Sequence, residues 1–166
     1  MLDELIERKA KEFCLDPLLV RAVIKVESNF NPWATRYEAN FLKRYINPLT
    51  NEFILSRNPQ MRVAGVPSQS TERRELATSW GLMQIMGETA RAFGFRGQYL
   101  AELCDLETNL HYGCTYLANK RMNYQTVEQA VSAYNAGMAT DRNKAYVDKV
   151  MRCYGQYQKE YAGKVR

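Results

Sequence analysis

The chain has a single histidine, His111, and four cysteines, Cys14, Cys104, Cys114 and Cys153, none of them in a C-x-x-C spacing. A Cys/His metal site therefore has no ligand set to draw on. The cysteines permit two disulfides in three pairings but require none, and four reduced thiols remain the equal alternative. Neither a G-x-G-x-x-G run nor a G-x-x-x-x-G-K-S/T run is present, which removes phosphate cradling by a glycine-rich loop. No hydrophobic stretch approaches the roughly 20 residues of a membrane span. The opening MLDELIERKAKEF reads as a charged amphipathic helix and lacks the apolar core and small-residue cleavage site of a signal peptide. Repeats, low-complexity tracts and linkers are missing. So is sustained two-residue alternation, apart from short pieces between 46 and 66.

What is present is a chain of 166 residues, enough for one domain with one core. Its net charge of +5 suits an anionic polymer, either nucleic acid or cell-wall glycan. Lysines and arginines are dispersed among acids such as Glu72, Glu75, Asp141 and Asp148, and no recognition helix stands out, which argues against nucleic acid. Eleven tyrosines fit either a flat polar groove or half-buried packing.

Apolar positions recur at helical steps along most of the chain. Leu2, Leu5, Ile6, Lys9, Ala10 and Phe13 form a first stripe with one polar member. Asp16 is placed to cap a second helix with Pro17 in its first turn. Tyr37, Phe41 and Tyr45 suggest one short helix, and the stretch NPLTNEFILSRNPQMRVAGVPSQS mixes turns with short apolar pieces. STERRELATSW reads as a helix leading into GLMQIM, and ETARAF as a short helix that Gly94 ends. Asp105 is placed to cap the longest helix, with Leu106, Leu110, Cys114 and Leu117 on its buried face. Thr126 and Gln129 match a capping box ahead of Val127, Ala130, Val131 and Tyr134, and Gly137 ends that helix. Asn143 is a candidate cap for a last helix carrying Tyr146, Val147, Val150 and Tyr154. The tail from Gly155 reads as polar and peripheral. The expected fold class is a mainly α single domain.

One carboxylate is out of place in this pattern. Leu19, Val20, Val23, Ile24 and Glu27 recur at three- and four-residue steps, so Glu27 shares the apolar face of its helix just before the turn at Asn31–Pro32. A general acid needs its proton held toward working pH, and an apolar setting does this by penalising the charged form. The plain alternative is a helix-end glutamate turned outward or paired with Arg21 or Lys25.

Four ordered segments bear on that choice: ESNFNP at Glu27–Pro32, SWGLMQIM at Ser79–Met86, SAYNAG at Ser132–Gly137 and AYV at Ala145–Val147. Together they resemble the lytic transglycosylases of the soluble (SLT) type, which share a goose-lysozyme-like fold. The likeness runs from about residue 15 to about 153. It implies that Glu27 is the one catalytic acid/base and that the Tyr146 hydroxyl points at it. It implies substrate-binding positions at Ser28, Ser79, Met83, Gln84, Tyr134 and Asn135, around one cleft. The implied substrate is peptidoglycan, cut between N-acetylmuramic acid and N-acetylglucosamine to leave 1,6-anhydromuramyl ends, with no cofactor and no metal. The implied partners are glycan strands, acted on in the periplasm or at the cell wall by a monomer with no stable membrane insertion. A phage-encoded chain and a processed form both fit.

Two departures mark this chain within the resemblance. The gap between Glu27 and Gly81 is longer than in compact members, with the extra length at about 36–78, as a flap or a structural lobe. Before Tyr146 the run MATDRNKA replaces the family's Glu-Thr-Arg. The rival readings are a goose-type hydrolase, with Asp105, Glu88, Glu72 or Glu75 as second acid, and a non-catalytic glycan-binding component of a phage or secretion apparatus.

Overall fold

The computed structural model describes residues 1–46 and 68–164, and the chain divides into two compact units, Met1–Phe30 with the chain from Gly113 onward, and Asn31–Tyr112. The described residues are mainly helical, as the stripes predict.

In the first unit, helix α1 spans Leu2–Glu12 and α2 spans Pro17–Ser28. Asp16 caps α2 as expected: its side chain accepts the Leu18 N–H at 2.8 Å, and Pro17 occupies the first turn. Val20, Ala22, Val23 and Ile24 of α2 have no exposed surface and form the centre of this unit. The polar member of the α1 stripe is buried too, because the Lys9 ammonium meets Glu12 at 2.9 Å while its stem covers apolar surface.

The second unit begins with β1, Thr35–Tyr37, followed by one helical turn, α3, at Ala39–Phe41 and a π-helical turn at Leu42–Ile46. Tyr37, Phe41 and Tyr45 thus fall in three different elements and not on one helix. Residues 47–67, which hold most of the expected insertion and its apolar pieces, lie outside the described residues. Helix α4, Gln69–Leu76, gives way to strand β2, Thr78–Trp80, which pairs antiparallel with both β1 and β3, Ile85–Met86. The sequence reading carried the helix through Trp80. In the structure Thr78–Trp80 is a central strand with all three residues buried, a setting where short β runs too brief for periodicity still pair. Helix α5, Gly87–Ala92, and a 3-10 turn at Leu100–Cys104 follow.

Helix α6, Leu106–Asn123, carries the chain from the second unit back into the first. Asp105 accepts the Thr108 N–H at 2.9 Å, as a cap should. Leu110, Cys114 and Leu117 are fully buried, whereas Leu106 is 36% exposed and stands at the edge of the stripe. Helix α7, Val127–Ala136, carries the expected reciprocal capping box of Thr126 and Gln129, and ends at Gly137 with φ of 82°, a backbone shape suited to glycine. Helix α8 spans Lys144–Lys164, so it, and not α6, is the longest among the described residues, and the chain past Gly155 is helical as far as Lys164. Within the first unit, α2 makes its most extensive packing with α8.

The four cysteines are free, with Cys104 and Cys114 buried. Burial pushes the Cys114 thiol up to about 12. Among the described residues, no helix is long and apolar enough to cross a membrane, and no group of acidic, histidine and cysteine side chains could hold a metal ion.

Candidate active site

In the first unit, α2 ends one residue after Glu27. Asn29 and Phe30 both turn to positive φ, 52° and 64°, which breaks the helix abruptly. A bulky residue such as phenylalanine is rare in that region, and here the Arg21 guanidinium lies over its ring at 5.3 Å. Arg21 also pairs with Asp3, and the Lys25 ammonium reaches Asn29 Oδ1 at 2.6 Å, so both cations suggested as outward partners for Glu27 are engaged elsewhere. Glu27 itself is half-buried and accepts a hydrogen bond from the Tyr146 hydroxyl at 2.6 Å on Oε1. This contact joins residues 119 positions apart.

Tyr134, on α7, is buried beside this pair. Burial first, and then the charge of Glu27, hold its hydroxyl well above the ordinary tyrosine value. Its ring packs against Tyr116 at 5.2 Å between centroids. Ser28 turns its hydroxyl back to its own helix, donating to Ile24 O at 3.3 Å. Asn135 is exposed at the end of α7.

The connection from α7 to α8 is tied by Ser132, of the SAYNAG segment, and by Asn143, of the run that replaces the family's Glu-Thr-Arg. Asn143 Nδ2 donates to Ser132 O at 2.9 Å and to Asn135 Oδ1 at 3.1 Å. The Ser132 hydroxyl accepts the Thr140 N–H at 2.9 Å and lies 2.8 Å from Asn143 Oδ1. Tyr146 sits one turn beyond Asn143, so this knot of polar contacts fixes the start of the helix that presents Tyr146. In the sequence Asn143 was legible as a candidate cap and as part of the run replacing Glu-Thr-Arg, but not as the centre of this knot, because its partners lie eight and eleven residues away.

In the second unit, Gly81–Gln84 is the turn of the β2–β3 hairpin, closed by the Gln84 N–H to Gly81 O at 3.2 Å. Gly81 has φ of 70°, and a Cβ there would meet Asn109 Nδ2 at 2.3 Å, so only glycine fits. Asn109 is completely buried and holds three strands of chain together. Its Nδ2 donates to Trp80 O at 2.8 Å and Leu103 O at 2.7 Å, and its Oδ1 accepts the Met83 N–H at 2.8 Å. The signal for Asn109 in the sequence was a polar residue one helical step from Leu106, on the apolar side of its helix.

The sequence reading had Met83 and Gln84 touching ligand. Met83 has no exposed surface and Ser79 is 2% exposed, so in this structure both side chains support the turn from inside. Gln84 is half-buried, and its Nε2 donates to Ala34 O at 2.8 Å and Gly81 O at 3.0 Å. Of the candidate second acids, Glu72 is bound to the buried Arg91 at 3.1 Å and Asp105 caps α6. Burial, then the charge of Glu72, hold the Glu75 carboxyl above its usual range, against the pull of Arg91.

A family model described as transglycosylase SLT domain matches residues 4–150. No curated protein matches the chain.

Proposed function

Since the chain belongs to the transglycosylase SLT domain family, we propose that it is a peptidoglycan lytic transglycosylase with Glu27 as its acid/base. The observation that carries this reading is the hydrogen bond from Tyr146 to Glu27 Oε1 at 2.6 Å. It supports a carboxyl held in one orientation. With Tyr146 donating to Oε1, a protonated Glu27 carries its proton on Oε2.

In the proposed reaction, that proton passes to the glycosidic oxygen as the bond between N-acetylmuramic acid and N-acetylglucosamine breaks. The muramic acid C6 hydroxyl then attacks C1, and its proton returns to Glu27. No water is consumed, and the carboxyl ends as it began. Because the nucleophile belongs to the sugar itself, attack is intramolecular, so a single carboxyl suffices where most glycosidases use two. Tyr134, kept protonated by its burial, lies near enough to the acid to feel its charge. Ser28 and Asn135 are proposed to shape the glycan contacts near it, and Gln84, on the Ser79–Met83 support, to contact glycan at the hairpin turn. Action at the cell wall follows from the substrate.

Mass spectrometry of products from purified peptidoglycan tests the reading. Anhydro ends, lighter than hydrolytic ends by the mass of one water and resistant to borohydride, are the expected outcome. Glu27→Gln should fold and bind glycan while losing cleavage by a factor of about 10³ or more, within the range for removal of a general acid. Reducing ends would reassign the protein as a hydrolase, and full activity of the variant would move the chemistry to another group.

A further inference from the structure

The chain has two tryptophans, and they are used in opposite ways. Trp80 is 8% exposed, with its indole N–H on Glu75 O at 3.2 Å. Trp33 is 74% exposed. A large flat ring left in water is the informative kind of exposure, and here it is not on a loose loop. The Trp33 N–H donates to Asn31 Oδ1 at 3.0 Å, and the Ala34 N–H donates to Asn31 O at 3.3 Å, which closes a tight turn under the ring. On its other side Ala34 O accepts both the Gly81 N–H and Gln84 Nε2, each at 2.8 Å. Thr35 then pairs with Trp80 in the sheet. The backbone carrying Trp33 is thus bolted directly to the Gly81–Gln84 turn.

We propose that Trp33 is a stacking platform for a pyranose ring of a β-linked amino-sugar glycan. The inference rests on the transglycosylase reading and adds a binding residue to it. A pyranose in such a glycan has one face of axial C–H bonds, which is apolar, and a rim of hydroxyl and acetamido groups. An indole offers a flat face for the first and an N–H at its edge for the second. The surroundings select this ligand over a protein or a lipid surface. Asn31, Thr35 and Arg36, close to Trp33 along the chain, are exposed and polar, which suits the hydroxyl-rich rim of a sugar better than an apolar partner. The next exposed aromatic along the chain, Tyr37, already has the Arg74 guanidinium over one face of its ring at 5.1 Å. Fixing the platform beforehand also removes the ordering cost that a mobile tryptophan would meet on binding.

The test uses the full chain carrying Glu27→Gln, so that ligand is bound without turnover, and chitotetraose and purified glycan strands as probes. Titration should change the fluorescence of the exposed tryptophan to saturation, because Trp80 is already out of water. By calorimetry, Trp33→Ala is expected to weaken glycan binding about tenfold, whereas Trp33→Phe, which keeps a ring, should stay within about threefold. Melting temperatures should stay close to the parent's, since the residue is mostly exposed. Unchanged affinity in Trp33→Ala overturns the platform, as does failure of the parent to bind either probe. Loss of vesicle binding in Trp33→Ala with glycan affinity intact would assign the ring to a lipid surface and also overturn it. Reducing ends from the wild-type protein would strike the transglycosylase reading alone and leave a tryptophan-dependent glycan affinity standing.

Discussion

The two compact units are built on different principles. The unit of Met1–Phe30 and the chain from Gly113 onward is held by apolar helix faces: Val20, Val23, Ile24, Cys114, Leu117, Val131 and Val150 have no exposed surface. The unit of Asn31–Tyr112 has an apolar core as well, but its shape depends on buried polar side chains that clamp backbone. Asn109 joins the hairpin turn, the strand before it and the 3-10 turn. Arg91, 1% exposed, joins Glu72 to the carbonyls of Phe95 and Gly97, at 3.2 Å and 2.7 Å. The difference shows that helices can be secured by non-directional burial, whereas short strands and turns need directional bonds to choose one shape.

The largest effect should come from breaking the polar clamp. Asn109→Ala leaves Trp80 O, Leu103 O and the Met83 N–H buried without their partner, at a cost of about 2–4 kcal/mol. Hydrogen exchange should show the loss in the amides of 80–86 while those of α2 and α7 keep their protection. Equal loss in both units would mean that they do not differ as described.

Tyr146→Phe probes a directional bond on which the first unit's proposed chemistry depends. Removal of a single hydrogen bond is worth about 1.4 kcal/mol or less, so turnover on peptidoglycan should fall by up to about tenfold. The melting temperature should move little, because the ring remains. A stability loss with turnover intact would make Tyr146 a packing residue, like the apolar residues around it.

The smallest effect concerns acidity. Glu75 holds its proton to higher pH when folded than when unfolded, because of burial and then the charge of Glu72. The folded state therefore binds more protons in the window from the ordinary carboxylate value up to the raised one, and stability falls as pH rises through it. Glu75 Oε2 is buried with no hydrogen-bond partner, which is consistent with that strain. Glu75→Gln should flatten the dependence of melting temperature on pH over that window. An unchanged slope would show that the clamp around Arg91 tolerates the second charge.

Much of the first unit was legible in the sequence. The caps at Asp16 and Thr126 depend on partners two or three residues away, as does the Asp105 cap in the second unit, and the stripes depend on steps of three and four, so local order was enough to read them. Glu27 was legible as a carboxylate on an apolar stripe, and the motif set directed attention to Tyr146. The second unit was read less well. Thr78–Trp80 and Ile85–Met86 are too short to show alternation, and Tyr37 was grouped with Phe41 and Tyr45 by a spacing that the fold does not use. Trp33 was not singled out, since one aromatic between Pro32 and Ala34 has no pattern around it.

By itself the sequence determined the helical class, the helix caps, and the set of residue types that places the chain among the SLT transglycosylases, because each of these rests on neighbours along the chain or on ordered motifs. The tertiary structure supplied the length and the accepting oxygen of the bond from Tyr146 to Glu27, which the resemblance had only implied, and it alone decided that Met83 faces inward while Gln84 bonds to Ala34, and that Trp33 stands in water on a fixed turn. The reason is physical. Hydrogen bonds between distant residues and the exposure of a single ring depend on how elements pack, and packing leaves no period in the sequence from which to read it.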